Sequence, residues 1–336
     1  MNAISNKRAE RLTSVLARSR LMWQHQKKHR ESGATEHQAL QIRHGETPDI
    51  LLLGNGINRA YGFVSREELV RIIRVKEMTE QEESPVTSVP HPLHPMIPMG
   101  DPLSARMKEI SHWLSELEVP EEENSTLQDL ASVPFDAILT ANYTYEMEKA
   151  LDPSFVCLPA RQCKARMTAC DVRGKYDIQQ LHTYFQIAGA PSIWHIHGEA
   201  ARHGTMILGR YYYEKLLSRL QRYVPSLIAR YSASAAHGQD MAVRSWIDLF
   251  MLGNVHVAGL GLSLSEMDLW WLINCKKRHF PDTKVTLYKP DLRAEERALA
   301  EAYGVDVVTD GFGGDFREYY RDVSRKLKSA VGEASV

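Results

Sequence analysis

Cysteine is scarce in this chain of 336 residues: Cys157, Cys163, Cys170 and Cys275 are the only four. Four are too few to staple a protein of this size, so a disulfide scaffold is excluded. No two of them form a CxxC pair, and the first three are widely spaced without a fourth neighbour, which excludes a zinc ribbon built from two such pairs. Long apolar runs are also missing. None approaches the roughly 20 residues that a bilayer span needs. The opening stretch, MNAISNKRAERL, holds no apolar signal-peptide core. Charge of one sign is absent as well. The 41 basic and 42 acidic side chains leave a net charge of −1, which argues against wholesale coating of nucleic acid but leaves room for a local basic patch. Together these absences predict a cytoplasmic protein in a reducing compartment, with no membrane partner.

What is present has globular proportions: 43% hydrophobic and 25% charged residues. The length suits one large domain or two ordinary ones, and either buries a sizeable core. The first 48 residues stand apart, with nine Lys or Arg against four Glu. From Lys7 to Lys28, Leu12, Val15, Leu16 and Leu21 recur at helical spacing, with Met22 and Trp23 beside them. This predicts a basic amphipathic helix followed by a polar tail through Gly45. Such an arm packs on the body or a sister subunit, or it contacts nucleic acid or another partner.

Asp49 to Gly54 reads DILLLG, an apolar run that suits a strand buried on both faces of a parallel sheet. Similar runs lie at Ala137 to Leu139, Ile193 to Ile196, Val255 to Leu262, Val285 to Tyr288 and Val305 to Val308. Helical patterns fall between several of them, for example Leu292 to Tyr303. The alternation predicts an α/β fold, a Rossmann-like doubly wound parallel sheet of about six strands. Two insertions interrupt it. The first, at about 63–134, reads as a helical module: helices over Ser65 to Glu77 and Arg106 to Leu117 flank a Pro- and His-rich loop, a candidate lid, and acidic residues cluster at Glu121 to Glu123. The second, at 151–190, holds three of the four cysteines.

In an open parallel sheet, ligands bind beyond the carboxyl ends of the strands. The first such turn is Gly54-Asn55-Gly56-Ile57-Asn58, in which two glycines allow a tight turn and a close approach to phosphate, or simply a strand-to-helix turn. Arg59 stands where a dehydrogenase fingerprint wants Gly or Ala. The second is Thr140-Ala141-Asn142-Tyr143-Thr144; Asn142 reads as a helix N-cap or as an amide that positions a ribose hydroxyl or a water. The third is His195-Ile196-His197-Gly198. Residues i and i+2 share a strand face, so both histidines can face one site. No carboxylate or third histidine follows at a familiar ligand spacing, so a metal pair is set aside. One buried histidine and one general base, His197 at the strand end, fit better. The fourth is Gly259-Leu260-Gly261-Leu262-Ser263-Leu264, followed by Asp268.

In that order, these four motifs resemble the sirtuin-like family, in the bacterial branch of NAD-degrading antiphage defence proteins that lack the zinc ribbon. The resemblance covers roughly Asp49 to Thr309, and Asn142 to His197 is its most specific part. It implies an NAD-binding domain over 49–336 and NAD as the substrate, with no metal. By resemblance, Gly54, Asn55, Gly56 and Asn58 hold the pyrophosphate. Asn142, with Thr140, Tyr143 and Thr144 around it, sits beside the nicotinamide ribose, and His197 is the catalytic base. Gly259, Gly261 and Ser263 contact phosphate or the adenosine ribose, with Tyr288 near the adenine. The implied reaction is NAD hydrolysis to nicotinamide and ADP-ribose in antiphage defence by NAD depletion. The implied partners are copies of the chain itself and an ATPase or Argonaute-type protein. Thr144 stands where the family motif carries Asp and supplies no negative charge. That departure keeps a second expectation, a non-catalytic NAD or ADP-ribose sensor or scaffold. A protein deacylase ranks lower because the zinc ribbon is missing.

Overall fold

The structure, a computed structural model, describes residues 40–63, 107–116, 124–157, 163–170, 181–263, 266–309 and 312–333. The basic helix over Lys7 to Lys28, the helix over Ser65 to Glu77, the Pro- and His-rich loop and the Glu121 to Glu123 cluster lie outside these residues. The elements run β1 (Gln41–Ile42), β2 (Asp49–Leu53), α1 (Gly56–Ala60), α2 (Met107–Glu116), α3 (Ser125–Ala131), β3 (Ala137–Thr140) and α4 (Glu146–Leu151). Then come β4 (Arg166–Thr168), β5 (Thr183–Phe185), β6 (Ser192–His195), α5 (Arg210–Ala236), β7 (Met241–Ala242), α6 (Trp246–Leu252) and β8 (Asn254–Ala258). The chain closes with α7 (Met267–His279), β9 (Val285–Tyr288), α8 (Ala294–Tyr303), β10 (Val305–Val308) and α9 (Phe316–Glu333).

One eight-stranded sheet carries the fold, in the order β10-β9-β8-β2-β3-β6-β5-β4. The strands expected from the apolar runs are β2, β3, β6, β8, β9 and β10, and every pairing among them is parallel. Ranked by appearance in the chain, they lie across the sheet as 3-2-1-4-5-6, the doubly wound Rossmann order. The expectation of about six strands fell short by two. β5 pairs antiparallel with β6, and β4 with β5, so the second insertion extends the sheet rather than merely interrupting it. Both are three residues long, too short for an apolar run to reveal them. A second correction concerns the polar tail through Gly45: its Gln41 and Ile42 pair with Ala242 and Met241 in a separate two-stranded ribbon.

The continuous apolar run of β2 exists because both of its faces are covered. Ile50 and Leu52 join a cluster with Leu216 and Leu220 of α5, Phe250 of α6 and Leu272 of α7. Leu51 and Leu53 point the other way, into a cluster with Leu130 of α3 and Val323 and Leu327 of α9. Full burial of each such side chain is worth about 1.5–3 kcal/mol. All seven residues of α6 are buried. Its last carbonyls, which a dry environment would leave without donors, are met by the buried Lys276, whose Nζ donates to Phe250 O, Met251 O and Gly253 O at 3.1, 3.1 and 2.5 Å.

The strand order reverses between β2 and β8. Ligand crevices open at such a switch point, outside the carboxyl ends of the two strands.

Candidate active site

Two glycine turns build the floor of that crevice, and they are bonded to each other. Gly54 N donates to Ala258 O at 2.9 Å, and Gly56 N to Gly259 O at 2.7 Å. A Cβ on Gly54 would lie 2.5 Å from the Gly259 carbonyl oxygen, and one on Gly56 2.7 Å from the same atom. Gly259 itself has a φ of +71°, in the left-handed region. These glycines therefore serve first to let two loops touch. The close approach expected for a phosphate is made by backbone to backbone at Gly54.

A cavity of about 420 Å³ opens beside these turns, within the ordinary range for ligand clefts, about 300–1,000 Å³. Asn142, Tyr143, Thr144 and His197 line it on the β3–β6 side, and Gly261, Tyr288 and Lys289 on the β8–β9 side. Asn55, Gly56 and Gly259 line it between the two. The other four expected residues do not line it. Gly54 is packed under the Gly259–Leu260 backbone. Asn58 is buried, its amide bonded to Asn55 and to Asn124. The Thr140 hydroxyl accepts from Asn142 N at 3.1 Å, so it shapes the loop from beneath. The Ser263 carbonyl accepts from Trp270 Nε1 at 2.9 Å and from Glu266 N at 3.0 Å, which fixes the entry to α7.

His197 is 4% exposed, with its Nε2 2.9 Å from Asp268 Oδ2. A carboxylate only accepts, so Nε2 carries the hydrogen and a neutral ring keeps its lone pair on Nδ1. Tyr213 meets the ring edge-on at 5.5 Å. The backbone is held too: Ile207 N donates to His197 O at 2.8 Å, and the Tyr143 hydroxyl to Ile207 O at 2.8 Å. Gly198 turns at φ +87° with the Thr205 carbonyl where a side chain would start. The His197 ring is thus positioned by a carboxylate and a rigid turn.

His195 does not share this site. The strand ends at His195, so the i, i+2 alternation fails one residue later. Its Nδ1 lies 2.8 Å from Asn142 O and its Nε2 2.7 Å from Glu148 Oε1, both buried. Burial alone would lower its pKa, but the Glu148 charge and hydrogen bond, the Glu199 charge and the Asn142 carbonyl together raise it. Beside it, Arg166 forks onto Glu199 at 3.0 and 2.7 Å, and the Tyr145 hydroxyl donates to the same carboxylate at 2.6 Å. Burial would raise the Glu199 pKa; Arg166, through hydrogen bonds and charge, holds it below the usual range. Asn142 also departs from its expected place. The helix that follows begins at Glu146, capped at Tyr145, so Asn142 is a loop residue and not an N-cap.

No family model matches this chain, and no curated protein matches it at a significant level.

Sequence reasoning missed several parts of the cavity. Arg59 is exposed on its wall and was noted only as a departure from another fingerprint. Glu266 lines the wall, and Asp268 was noted without a role. Phe316 and Tyr320 come from α9, over 250 residues from the first glycine turn, and carry no local signal. Leu114 of α2 lines the rim, and α2 packs on Ala200, Met206 and Leu208. Burial pushes the Tyr288 and Tyr320 phenols up to about 12, the Asp49 charge adding to the first, so both are hydrogen-bond donors at neutral pH.

Proposed function

We propose that this chain hydrolyses NAD to nicotinamide and ADP-ribose, with Asn142 and His197 as its catalytic residues. The observation that carries the reading is the cavity at the switch point of a doubly wound sheet, with a carboxylate-oriented histidine and a buried asparagine on one wall. Nucleotides bind at such points. The leaving nicotinamide is already cationic, so no strong acid is needed to expel it. The transition state is oxocarbenium-like, as in glycoside hydrolysis. What the protein must supply is a held ribose, a placed water and a proton acceptor.

Asn142 offers its amide for the ribose hydroxyl or the water, and its carbonyl is locked by His195. His197 accepts the proton at Nδ1 while Asp268 steadies the imidazolium through Nε2. Thr144 brings no charge beside the ribose, but Glu266 puts a carboxyl group on the cavity wall. Arg59 supplies positive charge for the pyrophosphate near Gly56. Assembly into oligomers, or with an ATPase or Argonaute-type partner in antiphage defence, belongs to the same proposal and rests on the resemblance alone. Removing residues 1–44 should change the oligomer size, read by light scattering as chains per particle; an unchanged number sinks the arm's part in assembly.

The test is product analysis. The purified chain is incubated with NAD, with and without an acyl-lysine peptide, and products are identified by mass spectrometry. Free ADP-ribose and nicotinamide without peptide support the hydrolase. NAD binding without products establishes the sensor instead, and acyl-ADP-ribose formed only with peptide establishes the deacylase.

A further inference from the structure

His197, Glu266 and Asp268 each offer a ligand atom, and these atoms all lie within 4.8 Å of one another. The three residues are 4%, 8% and 1% exposed. His197 and Glu266 line the cavity, so an ion entering from solvent reaches them and keeps an open position toward the ligand space. Two other buried carboxylates in this protein are each met by an arginine, Glu199 by Arg166 at 2.7 Å and Asp248 by Arg230 at 2.8 Å. Asp268 is paired with His197 alone among the described residues, and its Oδ1 is buried with no hydrogen-bond partner. A buried carboxylate oxygen without a donor is costly. A cation satisfies it.

We propose that His197, Glu266 and Asp268 form a divalent transition-metal site, with zinc as the ion it takes best and water in the open position. One imidazole and two carboxylates with one open place is a ligand set zinc accepts. Bonds of about 2.0–2.2 Å put tetrahedral ligands roughly 3.3–3.6 Å apart. The His197–Asp268 pair, at 2.9 Å, opens slightly to reach that spacing, and any pair nearer the 4.8 Å limit closes. The sequence showed no such site because Glu266 and Asp268 lie some seventy residues beyond His197, at the start of α7.

The proton balance gives the site a consequence. Without metal, the ring hydrogen sits on Nε2 and bridges to Asp268. Zinc takes the Nε2 lone pair, and the ring hydrogen moves to Nδ1, with no net proton released from the neutral ring. Neither nitrogen is then free to accept a proton, so zinc silences the base. This second half rests on the hydrolase reading; binding itself does not.

The test uses the metal-stripped full chain, titrated with zinc chloride by calorimetry and with cobalt(II) by absorption. We expect one equivalent of zinc and visible cobalt bands without a thiolate charge-transfer band, since no cysteine takes part. Asp268→Asn and Glu266→Gln should each weaken binding by more than about tenfold, because losing a ligand costs at least as much as losing an outer partner. Thermal unfolding checks that each variant folds. If Asp268→Asn does not, Glu266→Gln carries the test. No zinc bound, a thiolate band, or unchanged affinity in the folded variants overturns the site. Zinc should also lower NAD turnover in the wild type in step with occupancy. Zinc binding in a chain that never cleaves NAD leaves the metal site standing and removes the hydrolase.

Discussion

His195 and His197 are two residues apart, yet they belong to two different kinds of region. His195 ends a strand inside a sealed network, where Glu148 and the Asn142 carbonyl occupy both ring nitrogens. Beside it, Arg166 and Tyr145 satisfy Glu199. His197 lies past the strand end, bonded on one side to Asp268 and lining a cavity. Both regions are buried and polar. In the sealed one both His195 nitrogens and both Glu199 oxygens are bonded, and the oxygen left over, Glu148 Oε2, does not line the cavity, so its product is a fixed loop geometry. The open one has capacity left over, on Nδ1 and on Asp268 Oδ1, and faces space where a ligand fits. Burial and charge do not by themselves mark a site; unspent bonding capacity beside a cavity does.

The largest effect that separates the regions should come at the open histidine. His197→Ala is expected to lower NAD turnover by about 10²–10⁴-fold, the usual contribution of a general base. The unfolding midpoint should fall as well, because Asp268 loses its one described partner, so turnover is compared per folded molecule. Steady-state product formation and a denaturant titration on the same preparation read both quantities. Turnover within a few-fold of wild type would remove His197 from its role.

The sealed region should lose stability without a matching loss of turnover. Arg166→Ala leaves the Glu199 carboxylate buried with little compensation. Breaking a buried pair by removing one partner costs about 3–5 kcal/mol of stability. A urea titration measures this, and a loss below about 1 kcal/mol would mean that solvent reaches Glu199 and the network is not sealed. Turnover per folded molecule should fall far less than in His197→Ala.

Asn142 lies where the two regions meet, and the expected effect is smaller. Its side chain faces the cavity and its carbonyl belongs to the sealed network. Asn142→Ala keeps the carbonyl, so stability should hold while turnover drops by about tenfold or more, the loss of one well-placed hydrogen bond at roughly 1.4 kcal/mol. A matching loss of stability would show that the amide is structural.

Much of this was legible in the sequence, for identifiable reasons. β2, β3 and β6 are covered on both faces, so their apolar runs stand out against the polar loops. Strand-end positions follow from that, and Asn142, His197 and the glycine turns follow from strand ends. β4 and β5 were hidden because three residues at a sheet edge need no apolar run. The Asp268 partnership was hidden because a pair between a strand-end turn and the first turn of a distant helix has no fixed spacing. Asn142 was misplaced because its loop stays irregular for three more residues, with Thr140 and His195 bonding what a helix would have bonded. The expected buried histidine of the pair is His195, and the alternative of both facing one site fails because periodicity of two holds only while the strand lasts.

The smallest expected effect is a pH dependence confined to the sealed region. The His195 pKa is raised above the ordinary 6.5. A raised histidine stabilises fully below its unfolded pKa, and that contribution is lost as pH climbs through the folded value. The Glu199 pKa is lowered below the ordinary 4.5. Its contribution is present above that value and is lost as pH falls through the folded one. Glu146 works differently: burial chiefly raises its pKa, so the folded state loses stability as pH rises from about 4.5. The contribution of these three groups should therefore peak in mildly acid solution and decline on both sides. His195→Gln isolates one flank. It keeps an amide beside Glu148 and Asn142 O but cannot titrate, so the difference in stability between wild type and variant should shrink as pH rises past 6.5. A difference constant from pH 5 to pH 9 would show that the Glu148–His195 pair holds no charge to lose, and the sealed region would then be a neutral hydrogen-bond lock.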